Sequence, residues 1–335
     1  MFKQHKALMA LPILGLATAL TLSACGGSGD TKTGSPSKNW SFTDDRGVTV
    51  KLDHRPEKVV AFADQALALH AYGVDVVGII GRTDIKKDSR FKNWDLSKVS
   101  IYSTEYGAID FAKMAEDEPD VIVTGDYPTK RNAKLGKKDL LYGFNDAASQ
   151  KKAEKLAPTV GMEVGGKGAD VVERMSELAV DLGAKQSRVE QAKKRFDAAG
   201  KKLKAAAKAR PEIEVTQMYA DKDGLFVVKP QDEPATQLLS EYGVNYTNLN
   251  PGGEYYWDKY SWENASKMMT GDVIFTQQDG LQAADLAKQE TFKDDPALKA
   301  GQVQTWADAT MDYASQAKQM ATMTKTIEDA ENVVK

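Results

Sequence analysis

The chain has 335 residues, a formal net charge of −3, 41% hydrophobic and 28% charged side chains. That length admits two domains, and the charge balance lacks the basic excess of a nucleic-acid binder. The single cysteine, Cys25, excludes an internal disulfide and a cysteine-rich metal site. At the start, Lys3 and Lys6 precede an apolar run over residues 7–22, which gives way to Ser23 and Ala24. A basic end, a short apolar core and small residues make a secretory signal over residues 1–24. Interrupted by Pro12 and Gly15, the run is short for a bilayer span.

Leu22-Ser23-Ala24-Cys25 resembles the bacterial lipobox. The resemblance implies that Cys25 is lipidated and becomes the new N-terminus, holding an extracytoplasmic protein on the cell membrane. Loss of Lys3 and Lys6 takes the charge from −3 to −5. Residues 25–38 (CGGSGDTKTGSPSK) have the composition of a flexible tether.

Residues 39–185 alternate strand and helix signals. Strands are expected over residues 48–52, 58–62, 75–81 and 121–124, and from Thr159. Helices are expected over residues 65–72, stopped by Gly73, over 109–117, over 147–156 behind an Asn145 cap, and over 171–182, stopped by Gly183. This alternation implies a mostly parallel sheet covered on both faces.

Residues 186–210 then form one long helix. Val189, Ala192, Phe196, Ala199, Leu203 and Ala206 recur at steps of three and four, which makes a single apolar stripe. Ser187 and Glu190 are spaced as a capping box, Pro211 ends the helix, and Gly200 is its expected weak point. A helix of 22 residues spans about 33 Å, enough to strut two lobes apart.

Strand and helix signals restart over residues 211–335. Strands are expected over residues 215–219, 225–228, 272–276 and 302–305, and helices over 235–242, 262–269 behind Ser261, around Ala297, and over 314–333. Asn250-Pro251-Gly252-Gly253 is a turn, with Tyr255, Tyr256 and Trp257 expected on the loop after it.

EPDVIVTG (118–125), EKLAPTV (154–160), SWENASKMMTGDVIF (261–275) and FKDDPALKAGQVQTW (292–306) stand in the order seen in the substrate-binding lipoproteins of iron–siderophore ABC importers. The chain resembles this helical-backbone class, which includes ferrichrome- and vitamin B12-binding proteins, over about residues 40–335. The resemblance implies an α/β fold of two Rossmann-like lobes joined by one rigid helix, with ligand held between the lobes. It implies a binding protein with no catalytic residue, no cofactor and no metal site of its own. Its implied partners are the ligand, an importer permease and its ATPase, with the protein a monomer.

Ligand crevices in open α/β sheets lie at the carboxyl ends of parallel strands. Those ends carry Arg82, Tyr106, Tyr127, Tyr219, Gln277 and Trp306, to which Trp257 adds a further aromatic. A triply anionic ferric catecholate needs several cationic donors. This set is rich in aromatics and poor in arginine, so it favours a ferric hydroxamate siderophore. Haem, a corrinoid, or a catecholate or mixed siderophore met by Lys130 and Arg131 stay open.

An enzyme is disfavoured because no Gly-x-Ser-x-Gly elbow or P-loop is present. A direct metal-ion receptor is disfavoured because only His54 and His70 lie beyond the signal. In the resembled family each lobe docks on the permease through a surface glutamate. The second-lobe Ser-x-Glu pattern gives Glu263. The first-lobe position is Ala112, which leaves Asp110, Glu105 or Glu116 as substitutes, with Asp110 preferred.

Overall fold

The computed structural model describes residues 39–268 and 270–334. The expected signal, Cys25 and the tether lie outside the described residues. The described residues form one compact unit. No helix among the described residues is long and apolar enough to cross a membrane.

The chain opens with an antiparallel pair, β1 (Trp40–Thr43) and β2 (Thr49–Leu52). The first lobe then runs β3 (Val59–Phe62), α1 (Ala63–Tyr72), β4 (Gly78–Ile80), β5 (Ser100–Ser103), α2 (Phe111–Glu116), β6 (Val121–Asp126), α3 (Ala147–Glu154), β7 (Thr159–Glu163) and α4 (Gly168–Asp181). The long helix is α5 (Gln186–Ala209). The second lobe follows with β8 (Glu214–Asp221), β9 (Gly224–Val228), α6 (Pro234–Glu241), β10 (Asn245–Tyr246), β11 (Trp257–Tyr260), β12 (Val273–Gln277), α7 (Ala283–Leu286), α8 (Pro296–Lys299), β13 (Val303–Trp306) and α9 (Tyr313–Asp329).

The first sheet is parallel throughout, in the order β5-β4-β3-β6-β7. Its strands β3 and β4, and β6 up to Gly125, read as unbroken apolar or small runs because both faces are covered. Strand order reverses between β3 and β6, the switch point at which such sheets open a crevice. The second sheet is mixed. Its path is β11-β9-β8-β12-β13, with β10 also pairing with β8. Strands β8, β12 and β13 are parallel, whereas β9 runs antiparallel to both of its neighbours, β8 and β11.

The long helix has 24 residues and spans about 36 Å. Its buried stripe is Val189, Ala192, Phe196, Gly200, Leu203, Ala206 and Ala207, and α9 packs along it. Tyr313 at the start of α9 meets Phe196 at 5.3 Å between ring centroids. Arg210, just past α5, donates to the carbonyls of Glu328 (3.2 Å) and Ala330 (2.9 Å) at the far end of α9. The two helices therefore run side by side and parallel. Tyr72 of α1 ties the pair to the first lobe, its hydroxyl accepting from the Tyr313 N–H at 2.9 Å.

Local expectations failed at four places. The cap of α5 is Lys185, without a side-chain bond, because the helix starts at Gln186, which puts Ser187 inside the first turn and Glu190 in the second. The cap of α3 is Asp146, in a reciprocal box with Ser149. Trp257 begins strand β11, paired with Val228, and is not on a loop. Gly200 is a close-approach site, because a Cβ there would come 2.4 Å from the Tyr242 ring.

The lobes also touch directly. Gly168 begins α4 and faces α6, with its N–H on Gln237 Oε1 at 2.9 Å. A Cβ on Gly168 would lie 2.0 Å from the Pro234 carbonyl oxygen. Backbone cannot swing aside as a side chain can, so Gly168→Ala should push α4 off α6 and lower stability by about 1–3 kcal/mol. Denaturant unfolding checks this, and an unchanged midpoint would contradict the close packing of the two helices.

Candidate functional site

A cavity of about 410 Å³ lies between the lobes. Its first-lobe wall comes from the start of α1, the segments after β4 and β6, Tyr142, the end of β7, and α4. Its second-lobe wall comes from Glu233, residues 255–257, Gln277 and residues 306–311. The residues after β3 (Asp64, Gln65) and β6 (Tyr127, Pro128) flank the switch point, so topology places the crevice there.

Tyr142 is the hub of the first-lobe wall. Tyr127 packs against it at 4.6 Å, Phe62 at 4.9 Å and Tyr106 at 5.1 Å between centroids. Desolvation holds the Tyr127 phenol well above its ordinary value, so it stays a neutral donor. Across the cleft, Tyr256 stacks at an angle on Trp257 at 5.1 Å and on Tyr255 at 6.0 Å. Tyr256 has φ +74°, a left-handed conformation that is costly for a bulky residue. Two bonds hold it there. Its N–H donates to Asp232 Oδ2 (3.1 Å) and its carbonyl accepts from the Lys229 N–H (2.9 Å).

Both arginines that line the cavity are already partnered. Arg82 Nη2 donates to Asp308 Oδ2 at 3.1 Å, and Gln277 Nε2 donates to the same oxygen at 2.8 Å. Arg90 binds Asp64 (2.7 Å) and Asp88 (2.7 Å). Burial alone would lower the Arg82 guanidinium, but Asp64 and Asp308 hold it above its ordinary value. Further out, Arg131 of the first lobe grips Asp232 of the second through two bonds of 2.6 and 2.5 Å. Ser89 Oγ donates to Gln278 Oε1 across the lobes at 2.8 Å.

Of the seven residues expected at the ligand site, Arg82, Tyr127, Trp257, Gln277 and Trp306 line this one cavity. Tyr106 does not line it. It is 42% exposed and packs behind Tyr142. Tyr219 does not line it either, because its ring packs on Phe226, one ring removed from Trp257. Glu263 is exposed on a 3-10 turn, Trp262–Met268, outside the cavity. Asp110 is exposed and caps α2, its Oδ1 accepting from the Lys113 N–H at 3.0 Å. Lys130 is exposed, and Arg131 is committed to Asp232.

Sequence reading missed Asp64, Arg90, Tyr142, Glu163, Glu233 and Asp308. Asp64 opens the helix after the first parallel strand, a position that strand order would have singled out. Tyr142 sits in an irregular segment with no periodicity to mark it. His54 pairs with Asp53 and Asp120 at the surface, and His70 stacks on Trp94 at 4.0 Å. No group of three or more potential metal-ligating side chains occurs among the described residues.

Asp126 ends β6 beside Tyr127. It is 1% exposed, and its Oδ2 has no hydrogen-bond partner. Burial, with Asp139 beside it, raises its carboxyl to about 6. A raised acid binds its proton more tightly folded than unfolded, so stability falls as pH rises from about 4 to about 6. Asp126→Asn should therefore gain about 3 kcal/mol at neutral pH and nothing below pH ~4. Chemical denaturation across that range checks it, and a gain independent of pH would contradict the assignment.

A family model described as periplasmic binding protein matches residues 135–310. Among solved structures, the chain is similar to DesE, a ferric-siderophore receptor protein of Streptomyces coelicolor. They share 34% identity at a TM-score of 0.77, over 88% of this chain and 99% of that one. It is also similar to the petrobactin-binding protein YclQ of Bacillus subtilis (18% identity, TM-score 0.65, 87% and 99% covered). A third is the siderophore periplasmic binding protein from the fuscachelin gene cluster of Thermobifida fusca (22%, 0.60, 82% and 96%). No curated protein sequence matches significantly.

Proposed function

The chain belongs to the periplasmic binding protein family, and we propose that it captures an iron-loaded siderophore outside the cytoplasm and delivers it to an ABC importer. The observation that carries this reading is the interlobe cavity with an aromatic wall on each side, Tyr127 and Tyr142 facing Tyr256, Trp257 and Trp306. The similarity to a ferric-siderophore receptor at 34% identity supports it. Such a protein binds and releases its cargo without catalysis, and iron is part of that cargo.

We infer a ferric hydroxamate as the cargo. Four carboxylates line the cavity, Asp64, Glu163, Glu233 and Asp308, against the two arginines Arg82 and Arg90. Both guanidiniums are neutralised by acids. A triply anionic catecholate would meet no uncommitted cation and would face surplus negative charge. A neutral hydroxamate complex asks for apolar walls and a few donors to its metal-bound oxygens. Arg82, Gln277 and the Tyr127 hydroxyl are those donors.

Glu263 and Asp110 remain the proposed docking positions for the permease. Glu263 is fully available, whereas Asp110 also serves α2 as its cap. The protein acts as a monomer in this scheme, held on the membrane by lipid on Cys25. Cys25→Ala should leave the precursor unlipidated and shift the protein from the membrane to the soluble fraction. Unaltered fractionation and processing would remove the lipid from the proposal.

A ferric complex absorbs in the near ultraviolet and visible and quenches indole emission at short range. Titration with a ferric trihydroxamate should quench the intrinsic fluorescence saturably, and a ferric tricatecholate should do so far more weakly. Trp257→Phe and Trp306→Phe should each remove part of the quench and weaken binding by about 0.5–1.5 kcal/mol beyond area effects. Full quench and full affinity in both variants would refute the cavity as the ligand site. A stronger response to the catecholate would refute only the hydroxamate assignment.

A further inference from the structure

The long helix is also the most strongly charged element of the chain. It carries eight basic residues, Arg188, Lys193, Lys194, Arg195, Lys201, Lys202, Lys204 and Lys208, against Glu190 and Asp197. That surplus of six sits in a chain of formal net charge −3, so everything outside α5 sums to −9. All eight are exposed. Among the described residues only Lys193 forms an ion pair, with Asp197 at 3.8 Å.

The charges are ordered. Buried residues Val189, Phe196 and Leu203 define the inner face, and the outermost ridge lies opposite them at 100° per residue. Lys194, Lys201 and Lys208 stand on that ridge, seven residues and about 10.5 Å apart. Ala198 and Ala205 lie between them along the ridge, so nothing bulky keeps the ammonium groups off a flat surface. Arg195 and Lys202 lie on one flank of the ridge, and the acids Glu190 and Asp197 on the other. No residue of α5 lines the interlobe cavity.

The first described strand sits near the start of this helix: the Trp40 indole N–H donates to the carbonyl of Asp181 at 3.2 Å, at the end of α4 and five residues before α5 starts.

We propose that the α5 ridge is an interaction surface for anionic phospholipid headgroups of the membrane that carries the protein. Each lysine near such a surface adds favourable attraction that is screened within a Debye length. A bilayer is flat over the length of the helix, which suits a straight ridge better than a curved acidic protein would. Held this way, the spine rests on the membrane and the cavity on the other elements stays open to solvent for capture.

The proposal goes beyond the ligand reading and does not need lipid on Cys25. The test uses the chain from residue 26 onward. This region folds without the leading segment, since both hydrophobic cores are built from residues 40–333. The protein is sedimented with vesicles of phosphatidylcholine alone or mixed with phosphatidylglycerol, at low and high salt. Binding should require phosphatidylglycerol and vanish at high salt. Lys194→Glu with Lys201→Glu and Lys208→Glu should lose binding roughly 100-fold, while keeping the thermal midpoint and the ferric hydroxamate quench. A control triple, Lys134→Glu, Lys137→Glu and Lys138→Glu, reverses exposed lysines of the 130–138 loop and should retain it. Equal binding to phosphatidylcholine, an unaffected ridge triple, or an equal loss in the control triple would overturn the proposal. So would binding to polyglutamate without binding to vesicles, which would identify an acidic protein as the partner.

Discussion

A helix about 36 Å long can fix two lobes only if its apolar stripe is covered along its length. α9 supplies that cover from Phe196 to the end of α5, and most of the geometry follows from the pairing. Alone, α5 would expose Phe196, Leu203 and Ala206 on a helix otherwise rich in lysine. With α9 beside it, Phe196 meets Tyr313, and Arg210 satisfies carbonyls that the end of α9 would leave orphaned. The segment that leads into α9, residues 306–311, is the floor of the cavity on the second-lobe side. The same contact that stiffens the spine thus sets the position of Trp306 and Asp308.

That arrangement ties the two walls of the cavity to each other as well as to the spine. The lobes meet at α4 on α6, at Arg131 with Asp232, and at Arg82 with Asp308. Asp232 does two jobs. It holds Arg131 across the cleft mouth and accepts the N–H of Tyr256, which keeps that ring in its left-handed conformation. Loosening the rim pair would release a wall residue as well.

Much of this was legible in the sequence, for identifiable reasons. Alternating apolar runs and helix stops gave the parallel first sheet, and the single long stripe gave α5. Four residues chosen as strand-end side chains, Arg82, Tyr127, Gln277 and Trp306, line one cavity, because in a parallel sheet chain order nearly fixes which ends face the crevice. Tyr219 failed that rule because β8 pairs antiparallel with β9, which gives its ring Phe226 as a neighbour. Trp257 reached the cavity from an edge strand rather than a loop. Most of the acids were invisible to sequence reading. Asp308 matters through Arg82 and Gln277 on distant segments, and no local pattern distinguishes it from a solvated carboxylate. Glu233 caps α6 through the N–H groups of Ala235 and Thr236, which marks a helix start and not a cleft wall.

The paired arginine at the floor has a consequence for binding. A buried ion pair is costly to break because removing one partner strands the other. Asp308 is not dependent on Arg82 alone. Gln277 donates to the same carboxylate oxygen, and Arg90 reaches the Asp308 carbonyl at 3.5 Å. Arg82 can therefore turn toward an oxygen of the cargo while Asp308 keeps a donor. The exchange replaces one charge-assisted bond by another at a position already withdrawn from water. Most of the desolvation has been met in folding, so even the weak acceptors of a neutral complex can compete for the guanidinium. Under the proposed function, a highly anionic cargo would find no uncommitted cation at this floor, so charge as well as shape would select the cargo.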